Sequence, residues 1–141
     1  MPLPQILAKV RKCPGMFLPA VTYDAAASFV MGYDIAVHGG LLWAFREWLI
    51  PQLNGGSNMA WPGLVQMLME RRTPTSEAAK KEPPVKHQAA AVEFLLATIE
   101  TFLHERDHMD GAHRIFASYE RWLKEQDWYG PSSPHWIPSG Q

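Results

Sequence analysis

The clearest pattern in the chain lies over residues 88–106. Val92, Leu95, Leu96, Ile99, Phe102 and Leu103 recur at i, i+3, i+4, i+7, i+10 and i+11, the spacing that lines one face of a helix. A second stripe, Ile115, Phe116, Tyr119, Trp122 and Leu123, predicts a helix over 111–126 with these side chains inward and Asp110 placed to cap it. Ala26, Phe29, Val30, Tyr33 and Val37 predict a helix over 24–38, capped by Thr22 or Asp24 and stopped by Gly39-Gly40. Leu41, Phe45, Trp48 and Leu49 mark a helix over 41–50 that ends or kinks at Pro51, which has no N–H and crowds the preceding turn. Trp61, Leu64, Val65 and Leu68 follow Pro62 as a stripe reaching residue 72. Ile6, Leu7 and Val10 give a short amphipathic helix over 3–12, closed by Cys13-Pro14-Gly15.

Two stretches break the pattern. Residues 73–86, TPTSEAAKKEPPVK, hold Val85 as their only large apolar side chain and predict a mobile connector. Neither flank is long enough to close a core of its own, so residues 1–141 read as one domain. The tail over 127–141 carries three prolines among Trp128, Tyr129 and Trp136, a combination that cannot be helical and that predicts aromatic anchors laid across the helices. No segment alternates with period two. The expected fold is therefore an all-α, single-domain bundle of five or six helices with an irregular aromatic C-terminal tail.

Composition narrows the function. Hydrophobic residues make up 47% of 141 residues, enough apolar surface to exclude disorder throughout. The net charge of −1 excludes a nucleic-acid binder held by bulk positive charge. No apolar run is long enough to span a bilayer. The opening MPLPQILAKVRKCPG places its charges after a short apolar run, unlike a signal peptide. A cytoplasmic protein is expected. The single cysteine, Cys13, precludes an intrachain disulfide.

Charge is uneven along the chain. Residues 88–141 contain four basic and eight acidic side chains. Glu93, Glu100 and Asp107 recur every seven residues, with Glu105 and Asp110 nearby. Such a stripe is either an ordinary solvated face or a surface that steers a basic partner into place. Glu93, Glu100, Glu105, Asp107, Asp110, Trp128 and Trp136 are thus the candidate partner-binding residues.

The sharpest chemical motif is His104-Glu105-Arg106-Asp107-His108, an H-E-x-x-H. In zinc peptidases this spacing sets two imidazoles one helical turn apart on a metal, with the glutamate polarising the attacking water. A longer form of the motif needs a third histidine where this chain has Arg114; His113 falls one residue short. Arg106 and Asp107 at the interior positions predict a solvated helix end. No catalytic residue, cofactor or metal is assigned, and His104 and His108 are metal ligands only in the alternative reading of a metal-dependent hydrolase.

The segment Arg11-Lys12-Cys13-Pro14-Gly15-Met16-Phe17-Leu18 resembles the R-P-G-M-Y-L-G opening of a group of small bacterial proteins, many of them uncharacterised. Ser28-Phe29-Val30-Met31-Gly32-Tyr33 is similar to their A-F-L-D-G-Y helix end, and Phe45-Arg46-Glu47-Trp48 to their F-x-E-W. The resemblance covers residues 11–49 and departs at Cys13 and Pro19, where the group carries Arg and Gly. Some members resemble immunity proteins that neutralise toxins delivered between bacteria. The resemblance implies a turn and two packed helices. The expected function is a non-enzymatic, protein-binding antagonist, an immunity protein that occludes the active site of a cognate toxin with a basic surface. The hydrolase and a non-antagonistic adaptor subunit are the alternatives.

Overall fold

A computed structural model describes residues 2–74 and 76–132. Trp136 and the rest of the tail from residue 133 lie outside the described residues. The chain is all-helical, and no β-strand occurs among the described residues. In order the helices are α1 (Gln5–Lys12), α2 (Tyr23–Ala36), α3 (Phe45–Leu53), α4 (Trp61–Arg72), the single turn α5 (Glu77–Lys80), α6 (Pro84–Arg106) and α7 (Gly111–Lys124), with a 3₁₀ turn over Pro14–Met16. Six of them have eight residues or more, as expected for the bundle.

α6 is the central post, because its apolar stripe is the longest. Leu95, Leu96, Ile99, Phe102 and Leu103 are fully buried, and α1, α2, α3, α4 and α7 all pack on this helix. Phe45 sits at the middle of the aromatic core, with its ring 4.9 Å from Phe102, 5.8 Å from Trp61 and 6.0 Å from Trp48. Tilted and offset pairs at this spacing suit the ring quadrupoles.

Several joints hold the post in register. Thr22 caps α2 by accepting the Ala25 N–H at 3.1 Å. Gln88 Oε1 accepts the Tyr23 N–H at 2.8 Å, and the Tyr23 hydroxyl donates to the Pro62 carbonyl at 2.5 Å. One residue thereby ties α2 to α6 and α4, and burial holds its phenol well above the ordinary range. Arg11 on α1 reaches across to Glu93 at 2.7 Å and Glu100 at 3.3 Å on α6. α3 and α7 join through Trp122 Nε1, which donates to Asn54 Oδ1 at 2.8 Å.

Four expectations need correction. The helix foreseen over 41–50 begins only at Phe45 and runs through Pro51 to Leu53. Residues 39–44 are instead consumed by a turn in which Asp34 Oδ1 accepts the N–H groups of Leu41 (3.1 Å) and Leu42 (2.8 Å). Past the proline, the Gln52 amide donates to the Trp48 carbonyl at 2.9 Å, and Asn54 closes the helix in the left-handed region. The segment 73–86 is partly helical: α5 lies within it, and α6 starts at Pro84, a residue suited to a first turn. α7 ends at Lys124, short of 126. Asp110 stands at the N-cap of α7 but does not cap it with its side chain. Its φ of 60° is left-handed, whereas side-chain capping needs an extended residue. The four-residue turn from α6 to α7 imposes that geometry.

Candidate functional site

One end of the bundle gathers most of the candidate residues. It comprises the 39–44 turn, the start of α3, the last turn of α6 and the first turns of α7. Its keystone is Arg106, only 4% exposed. The guanidinium donates to the carbonyls of Leu41 (2.8 Å) and Trp43 (3.1 Å) and to Asp107 Oδ1 (2.9 Å). It also lies 4.8 Å from the Trp43 ring centre and 5.1 Å from that of Phe102, within cation–π range. A solvated helix end was expected here; instead the motif's first interior position is buried. The planar five-donor fork of arginine meets all three acceptors at once, which offsets the cost of removing it from water.

Contact with Arg106 leaves Trp43 far from buried. It is 48% exposed and stacks on Phe116, which is 42% exposed, at a centroid distance of 6.4 Å and an interplanar angle of 19°. Phe116 was expected inward. It follows Ile115 by one residue, about 100° around the helix, and so falls on the rim of the stripe. Met109 is exposed in the adjoining turn. The sequence placed exposed aromatics only in the tail. Of those, Trp128 is half exposed and meets Trp122 edge-on at 6.2 Å, and Tyr129 packs partly buried against the core.

Beside this pair, a cleft of about 580 Å³ opens between α3, the end of α6 and α7. Trp48, Pro51 and Ile115 supply its apolar wall, and Glu47, Glu105, His104, His108 and Arg114 its polar rim. Glu105 accepts a hydrogen bond from the Trp48 indole N–H. Among the described residues, the side chains of Glu47, His104, His108 and Arg114 make no hydrogen bond or ion pair.

The H-E-x-x-H does not keep the geometry its spacing implies. α6 ends at Arg106, so His108 lies beyond the C-cap residue Asp107 and off the helix. No group of three or more His, Cys, Asp or Glu is placed to hold a metal ion among the described residues. The acidic stripe also differs from a bare surface. Glu93 and Glu100 share Arg11, and Asp107 pairs with Arg106, so three of its carboxylates carry their own counter-charge. Asp110 is exposed. The structure thus brings Glu105, Asp107 and Asp110 to the cleft end of the bundle, and sets Glu93 and Glu100 further along α6.

Among the described residues, no helix is long and apolar enough to cross a membrane. No family model, curated protein or solved structure matches the chain.

Proposed function

We propose that the protein acts by binding another protein, as an immunity protein that occludes the active site of a bacterial toxin in the cytoplasm. The observation that carries this reading is the Trp43–Phe116 pair. Two large rings stand stacked and about half exposed, with one of them held from below by the buried Arg106. Rigid aromatic area costs little ordering entropy on binding, and tryptophan and arginine dominate interface hot spots. The resemblance of residues 11–49 to immunity-like proteins supports the same reading, and Trp43 lies inside that stretch. The net charge of −4 over residues 88–141 suits a toxin that acts on nucleic acid or nucleotides, whose own cleft is basic.

The test is capture of the partner from the native host, followed by assay of the purified partner. One equivalent of this protein should abolish the partner's activity. Phe116→Ala, at a rim position of α7, should weaken inhibition by about 10-fold or more while thermal stability stays within about 1 kcal/mol. A partner that keeps full activity in the complex refutes antagonism and leaves the adaptor.

A further inference from the structure

We infer that the cleft between α3, α6 and α7 is a socket for an arginine side chain of the partner protein. The assignment builds on partner binding as proposed above. At about 580 Å³ the space has the size of a small-molecule site, ample for one long side chain. Its chemistry has two parts. Trp48, Pro51 and Ile115 form an apolar wall for a methylene stem, while Glu47 and Glu105 present carboxylates from two different helices. Glu105 is steadied by the Trp48 indole N–H, so its position is set before any ligand arrives. Among the described residues Glu47 makes no ion pair or hydrogen bond of its own. Most other carboxylates with a basic neighbour in reach are already paired: Glu93 and Glu100 with Arg11, Glu77 with Lys80, Glu82 with Lys86, Glu120 with Lys124.

Arginine fits better than lysine or an anion. A guanidinium is planar, weakly hydrated and able to bridge two carboxylates while lying along an apolar surface. Arg114 stands on the same rim and opposes a cation, and that opposition gives the proposal a sign test. If the occupant is cationic, removing Glu47 weakens binding and removing Arg114 strengthens it. If it is anionic, both signs reverse.

The probe is Nα-acetyl-arginine amide, titrated into the ¹⁵N-labelled protein, with Nα-acetyl-aspartate amide at matched ionic strength as its counterpart. The Trp48 indole N–H is the reporter, because it touches Glu105. A saturable shift of this resonance with the arginine probe is expected, in the millimolar range. Glu47→Gln should weaken it about 2- to 5-fold and Arg114→Gln should tighten it by a similar factor, the range of exposed ion pairs. Absence of a saturable shift, or a larger shift with the aspartate probe, overturns the proposal. Neither substituted side chain has a hydrogen-bond or ion-pair partner among the described residues, so both variants should remain native. The socket and the function fail separately. Inhibition of the captured partner unaffected by Glu47→Gln, together with no arginine shift, removes the socket and leaves antagonism standing. Arginine binding with no inhibition does the reverse.

Discussion

Replacing Arg106 by Met removes the guanidinium while keeping an unbranched apolar stem in its place. The Leu41 carbonyl is buried, and losing its only described donor costs about 1–3 kcal/mol. The Trp43 carbonyl is partly buried and adds about 1 kcal/mol. Contact with the two rings contributes about 0.5–2 kcal/mol. The Asp107 pair is worth at most about 1 kcal/mol, because the carboxylate is partly solvated. Against these stands the relief of returning no charge to a buried site. The net loss expected is about 2–4 kcal/mol, a fall in Tm of roughly 6–15 °C for a chain of this length. Urea titration followed by far-ultraviolet circular dichroism measures it, with an unchanged m-value showing that both states keep their compactness. Arg106→Lys should recover less than half of the loss, since one ammonium cannot reach two carbonyls and a carboxylate together. A loss below about 1 kcal/mol for the Met variant, or full recovery by Lys, would refute the keystone role.

Gly111→Ala should destabilise by about 1–3 kcal/mol or more. Its Cβ would fall 1.9 Å from the Glu105 carbonyl oxygen, a backbone atom that cannot yield. Gly32→Ala, with nothing within 4 Å, should instead stabilise α2 by about 0.5–1 kcal/mol; equal melting temperatures for the two variants would show the α6–α7 approach to be looser than described. The raised Tyr23 phenol is a stability term present in full below the unfolded phenol range near pH 10. As pH climbs above that value the unfolded chain loses its proton first, so stability should fall steadily. Tyr23→Phe should be less stable at neutral pH and should lack this alkaline decline, and an equal decline in both proteins would assign it to other groups.

Where local spacing carried the information, the sequence was sufficient. Val92, Leu95, Leu96, Ile99, Phe102 and Leu103 all lie in the core, because periodicity records burial directly. What escaped it depends on distant chain. Arg106 looked solvated since its neighbours in sequence are charged, while the carbonyls that satisfy it belong to Leu41 and Trp43, more than sixty residues away. Trp43 drew no reading of its own, because it lies off the stripe of Leu41, Phe45, Trp48 and Leu49. The Asp34 carboxylate holds Leu41 and Leu42 in a turn, and that turns Trp43 outward. Glu105 and Glu47 share a cleft only because Trp48 docks against the end of α6.

The central position of α6 has a consequence for biosynthesis. α1 and α2 both lean on a helix that spans residues 84–106. When Arg72 leaves the ribosome, four helices of eight residues or more are present without the surface they cover, and only α3 and α4 have each other. At about 5–20 residues per second, the 34 residues from Thr73 to Arg106 take roughly 2–7 s to appear. Through that interval Leu7, Val10, Ala26 and Val30 have no core to enter. The nascent chain is then a substrate for chaperones and proteases until α6 has emerged.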